Sequence, residues 1–211
     1  IDVYELEMHP DEKNKYFFQG RWEMLEVPKA KIPVKLWGPF QWTFTKEILW
    51  SVHGPVIKND LGYFAIRYSG HGEVRHVEQW FKMNKSSNLE EFTSAMKMMQ
   101  IPMFNTLYAD KTGNLFYIYN GLIPIREEKY NWQDILPGDK KKLIWDSYYN
   151  FDELPQSTNP ESAYLQNCNS TPYLATVGKD NPKKVLPNHT GIEEFQTNRA
   201  YRANELYAVS Y

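Results

Sequence analysis

The sequence predicts an α+β fold, and three observations carry that prediction. Residues 4–80 break into short strand-like runs divided by turn residues; residues 87–100 form one amphipathic helical stretch; residues 104–120 read as two strands about a tight turn, with a second helical stretch ending the chain. Strands first and helices later, without βαβ alternation, is the ordering of an α+β protein. Two domains follow from the change of pattern, a β-rich domain over residues 1–86 and a mixed one over residues 87–211.

In the first domain the runs 16–19, 32–37, 42–44, 56–58, 62–68 and 78–81 are rich in aromatic and β-branched residues, which suit a pleated, half-buried surface. Gly20, Pro28, Pro33, Gly38-Pro39, Gly54-Pro55 and Gly70 punctuate them. Between residues 87 and 100 the period changes: Leu89, Phe92, Met96 and Met99 recur at helical spacing behind an Asn88 cap and an acidic first turn, Glu90-Glu91, with Pro102 as the stop. The runs 104–109 and 114–120 flank Asp110-Lys111-Thr112-Gly113, whose glycine suits a positive φ, and predict a hairpin. Residues 137–157 are a polar connection with an apolar Leu143-Ile144-Trp145 insert, residues 162–166 read as a short strand, and residues 176–189 are a loop. The closing helix is expected to start at a Thr190 cap and to carry Ile192, Phe195, Arg199, Ala203 and Leu206 on one stripe.

Composition removes several function classes. A formal charge of -2 with dispersed Lys and Arg gives no electrostatic footprint for nucleic acid. No apolar run approaches the length of a membrane span. Cys168 is the only cysteine, so an internal disulfide and a cysteine-rich zinc site are both excluded. His71 and His76 flank a spacing that is no zinc motif, and His9 and His189 stand alone. The many aromatics fill cores and sheet faces in most proteins; a peptide or glycan platform is the sharper alternative.

Three runs carry chemistry. Asn159-Pro160-Glu161-Ser162-Ala163-Tyr164-Leu165-Gln166-Asn167-Cys168-Asn169-Ser170-Thr171-Pro172 concentrates carboxamides at the end of an apolar segment. Buried amides cost free energy unless paired, so an Asn-x-Asn there either makes a turn or aims donors at a ligand, as an oxyanion hole does. Upstream lie Ser51-Val52-His53-Gly54-Pro55-Val56-Ile57 and the tract Tyr108-Ala109-Asp110, Gly113-Asn114, Gly121, Pro124 and Arg126. In this order the three runs resemble the penicillin acylase family of N-terminal-nucleophile amidohydrolases, over nearly the whole chain.

The resemblance implies an αββα sandwich with an inserted β-rich domain, and hydrolysis of N-acyl amides of the penicillin, cephalosporin or acyl-homoserine-lactone type. It implies an oxyanion-hole role for Asn169 and active-site support from Arg199; Asn198 stands where an Asp is common. Asn167 would support the chain end, His53 would belong to a structural turn, and Cys168 would pack without acting as nucleophile. The chemistry would need no cofactor, and a structural calcium would use Asp180 in the loop after Asn169. A bacterial, periplasmic or secreted setting and an autocatalytically cut precursor are implied as well. Because Ile1 offers no hydroxyl or thiol, the Ser-type nucleophile is expected upstream, the chain being an internal piece of the mature β chain. Its partners would then be the α chain, the leading part of the β chain and a small N-acyl amide, and alone it would be inactive. The competing reading is a non-catalytic β-rich module that binds peptides or glycans.

Overall fold

The computed structural model describes residues 1–209. In chain order its elements are β1 (Asp2–Leu6), β2 (Lys15–Phe18), β3 (Arg21–Met24), β4 (Lys29–Lys35), β5 (Gln41–Glu47), β6 (Leu49–Ser51), β7 (Gly54–Asn59), β8 (Gly62–Arg67), α1 (His76–Lys85), α2 (Leu89–Met96), β9 (Phe104–Ala109), β10 (Leu115–Asn120), β11 (Leu136–Pro137), β12 (Gln156–Thr158) and α3 (Asn198–Val209). They fall into two compact units, Ile1–His71 with Glu127–Trp145, and Gly72–Arg126 with the chain from Asp146 onward. The division expected after residue 86 thus lies after residue 71 in the structure, and the segment Glu127–Trp145 returns to the first unit. Among the described residues no helix is long and apolar enough to cross a membrane.

The first unit is built on a sheet ordered β11-β1-β8-β7-β6, antiparallel except for the β1–β11 pair. In β1 the alternation places Asp2, Tyr4 and Leu6 on the buried face. The apolar insert at residues 143–145 fills the space against that face: Leu143 is fully buried, its carbonyl accepts from Tyr4 Oη at 2.9 Å, and Trp145 Nε1 donates to Asp2 Oδ2 at 2.7 Å. His53 stacks on Tyr4 with ring centroids 4.0 Å apart and its Nε2 donates to the Gly138 carbonyl at 2.9 Å. Burial pushes this imidazole below its ordinary pKa. Gly54, next to it, has φ 138, and a Cβ there would meet the Ile66 carbonyl oxygen at 2.4 Å, so the His-Gly-Pro run is a tight structural turn.

Two hairpins complete this unit. β2 and β3 join through Gln19 and Gly20, both at positive φ, as a two-residue turn requires. β4 and β5 pair in register with Ile32 opposite Phe44 and Val34 opposite Trp42. All four side chains are exposed.

The second unit holds α1, α2, α3 and the sheet β12-β10-β9. Its core gathers Phe92, Met96, Ile101, Phe116, Ile118, Ile123, Phe151 and Ile192. The strand expected at residues 78–81 is instead part of helix α1: Gln79 and Met83, four apart, face inward, while Glu78 pairs with Arg75 and Lys82 along the solvent face. Those two cations hold the Glu78 carboxyl down at about 2. Gln79 is fully buried but not orphaned, since its Oε1 accepts from the backbone of Gln100 at 2.7 Å and Ile101 at 3.0 Å. The Asn88 cap holds, its side chain accepting from Glu91 N at 2.9 Å, but α2 ends at Met96, before Pro102, where Met99 turns to positive φ.

The hairpin of β9 and β10 is as expected, and the Asp110 carboxylate organises its turn by accepting from Thr112 N and Oγ1, Asn114 N and Asn114 Nδ2. Those donors hold its pKa well below the usual carboxylate range. No strand forms at residues 162–166: Ala163 closes a turn on the Pro160 carbonyl at positive φ, and the strand beside β10 is β12. Nor does the closing helix start at Thr190. That residue ends a short 3₁₀ turn, Gly191 follows in the left-handed region, and α3 begins at Asn198 with Thr197 Oγ1 accepting from Ala200 N. The expected stripe is lost with it, for Ile192 is buried but Phe195, Arg199 and Leu206 are exposed.

Candidate functional site

The turn that carries the Asn-x-Asn run is shaped by its own amides. Gln166 anchors it, its backbone N–H donating to the Ala175 carbonyl at 2.8 Å and its Nε2 to the Leu174 carbonyl at 2.5 Å. Asn167 Oδ1 accepts from Asn169 N at 2.9 Å, an Asx turn that bends the chain. Asn169 then takes φ 55, a conformation that asparagine tolerates better than most residues. Beyond it Ser170 and Thr171 are buried, and Thr171 Oγ1 caps the short 3₁₀ turn that Pro172 opens. Asn167 is therefore the support of the turn and Asn169 its exposed tip.

The start of α3 meets this tip. Arg199 Nη2 donates to the Cys168 carbonyl at 2.9 Å and to Asn169 Oδ1 at 2.9 Å. Thr197 Oγ1 donates to the same Cys168 carbonyl at 3.1 Å, and Thr171 N donates to the Phe195 carbonyl at 3.1 Å. A cation in the first turn of a helix opposes the helix dipole, so Arg199 owes its position to these carbonyl partners. Because the guanidinium only donates, it fixes which end of the Asn169 amide faces it. Oδ1 is taken, and Nδ2, which has no partner among the described residues, remains as an available donor on an exposed residue. The pair thus presents an oriented N–H beside a guanidinium and a helix N-terminus, a place where negative charge on an oxygen is stabilised.

The structure brings Asn169 and Arg199 together at the Cys168 carbonyl, in the turn that Asn167 supports. Cys168 is half-buried and free, and contributes its carbonyl. Asp180 Oδ2 accepts from Glu161 N at 2.9 Å, while the Glu161 carboxylate is paired with Lys179 at 2.5 Å. Among the described residues no group of three His, Cys, Asp or Glu could hold a metal. Thr197 is a site residue that sequence reasoning misses. Its signal is a threonine two residues before the arginine, a capping residue that the Thr190 reading displaces.

The sequence model of the penicillin amidase family matches residues 1–209. Penicillin G acylase of Escherichia coli is 27% identical over 177 residues, which cover 82% of this chain and 20% of that protein. Acyl-homoserine lactone acylase PvdQ of Pseudomonas fluorescens (strain Pf0-1) is 22% identical over 199 residues, 82% of this chain and 25% of that protein. The chain therefore spans a fifth to a quarter of these two relatives. A solved thermostable penicillin G acylase from Alcaligenes faecalis superposes over 98% of this chain and 38% of its own, with a TM-score of 0.69 and 25% identity. By the family match along its length, this chain belongs to the penicillin amidase family.

Proposed function

We propose that this chain is the part of an N-acyl amide hydrolase that supplies the side-chain oxyanion donor, Asn169, and the arginine that orients it, Arg199. The observation that carries the reading is the 2.9 Å bond from Arg199 Nη2 to Asn169 Oδ1, which leaves Nδ2 as the available amide donor. The nucleophile is an N-terminal Ser-type residue outside this chain, with its own α-amino group as base. Attack of the hydroxyl oxygen on the amide carbonyl moves the hydroxyl proton to that amine and places negative charge on the carbonyl oxygen. Asn169 Nδ2 donates to this oxygen, and Arg199 beside it favours the same charge. Collapse expels the amine leaving group, which takes the proton, and water then releases the acyl group as a carboxylic acid.

The names of the relatives point to penicillin-type and acyl-homoserine-lactone amides as the substrate class. In this reading the rest of the polypeptide completes an αββα sandwich around the sheet of the second unit, and a bacterial periplasmic or secreted protein is the setting. The test uses the longer protein and the isolated chain side by side. The longer protein is expected to release carboxylic acid from N-acyl amides and the isolated chain to release none. Turnover by the isolated chain that Cys168→Ala abolishes would overturn the N-terminal-nucleophile reading.

A further inference from the structure

Between Gly191 and Thr197 the chain has no regular secondary structure, yet it delivers Arg199 to Asn169. A segment without a ladder takes its course from whatever satisfies its polar groups. Two side chains from the β10 region anchor its entry. Arg126 Nη1 donates to the carbonyls of His189 at 3.0 Å and Thr190 at 2.6 Å, just before the left-handed Gly191. Tyr119 on β10, 3% exposed, donates through Oη to Glu193 Oε2 at 2.8 Å. Its neighbour on the same face, Tyr117, donates to Asn105 Oδ1 at 2.5 Å. Burial and the Glu193 charge push both tyrosines far above the ordinary phenol range, so both remain donors at any physiological pH.

We propose that Arg126 and the Tyr119–Glu193 pair are positioning residues for the oxyanion donor: they hold residues 189–193 so that Thr197 and Arg199 reach the Cys168 carbonyl and the Asn169 amide. This rests on the acylase reading above. Arg126 acts on backbone carbonyls, and Tyr119 acts on a carboxylate two residues before the carbonyl of Phe195 that Thr171 uses. Slack in this segment would let Arg199 withdraw, and the freed amide could then turn Oδ1 towards the developing negative charge. A displacement of about 1 Å at such a site costs up to roughly a hundredfold in rate.

The experiment is steady-state kinetics on the longer, processed protein with an N-acyl amide. Arg126→Ala is expected to lower kcat about tenfold to a hundredfold with KM nearly unchanged, and millimolar guanidinium is expected to restore part of the loss. Tyr119→Phe should lower kcat in the same sense, whereas Glu193→Gln, which still accepts from Tyr119, should stay within about twofold. Combined with Arg199→Ala, the Arg126→Ala loss should shrink, because both act through one amide. Should Arg126→Ala not fold, Tyr119→Phe against Glu193→Gln decides the same question. An active wild type with normal kcat in Arg126→Ala or Tyr119→Phe, or full additivity with Arg199→Ala, overturns this inference and leaves the acylase reading intact. A folded, processed wild type without turnover overturns both.

Discussion

The two longest hairpins of the molecule share a construction and differ in fate. β4–β5 and β9–β10 are both contiguous, antiparallel and in register across their whole length. In β10, residues 116–120 are all buried, because β9 and β12 cover its edges and the core side chains of α2 cover a face. In the sheet of β4–β5 each strand has only the other as partner among the described residues. The ribbon carries Ile32, Val34, Trp42 and Phe44 on one face and Lys31, Lys35, Thr43 and Thr45 on the other, and its tip adds exposed Leu36, Trp37 and Phe40. A lone two-stranded hairpin is marginal in water, and this one leaves seven large apolar side chains exposed. Strand pattern therefore fixes the pairing, while burial depends on what is supplied from outside the hairpin. Relatives about four times as long have ample chain to supply it.

The largest expected effect contrasts equivalent phenylalanines. Phe116→Ala should destabilise the isolated chain by about 3 to 5 kcal/mol, read by urea unfolding, whereas Phe44→Ala there should cost less than about 1 kcal/mol. In the longer protein the Phe44→Ala cost is expected to rise to the same about 3 to 5 kcal/mol. An equal, small cost in both forms would show that the apolar face stays uncovered and that the rest of the protein supplies nothing to it.

The next effect concerns pH. His53 is held neutral in the folded first unit, its pKa pushed below the ordinary value by burial. The unfolded chain then binds the proton first, so the contribution is fully present above about pH 6.5 and is lost as pH falls below it towards the folded value. Melting curves from pH 7.5 to 5 should show the first unit weakening, and His53→Phe should flatten the trend. A slope that survives this substitution would assign it to other groups.

Smaller still, Asn88→Ala should cost the second unit about 1 kcal/mol through the lost α2 cap. Trp42→Ser should shift the stability of the isolated chain by no more than about 0.5 kcal/mol while reducing its self-association in sedimentation. Unchanged association would remove the ribbon as the adhesive face.

The β9–β10 hairpin, the Asn88 cap and the His53 turn are legible in the sequence because each is a local pattern with a local cause. The run 78–81 misleads because Trp80-Phe81 beside Gln79 reads as a strand, while the deciding fact, a buried glutamine serving two backbone N–H groups, is tertiary. Residues 162–166 fail for the converse reason: an apolar run suggests a strand that the positive φ of Ala163 forbids. Motif order singles out Asn169 and Arg199, and the structure brings the two into contact. Arg126 stands in the same motif without a role, since its partners at His189 and Thr190 are backbone carbonyls, and carbonyls leave no mark in a sequence.

If Asn169 Nδ2 meets charge that exists only in the transition state, its loss must appear in kcat and not in binding, and kcat and KM of Asn169→Ala in the longer, processed protein read this most directly. The expected result is a fall in kcat of about a hundredfold to a thousandfold with KM changed far less, while Asn167→Ala mainly lowers stability. A near-normal kcat in well-folded Asn169→Ala would contradict the oxyanion role.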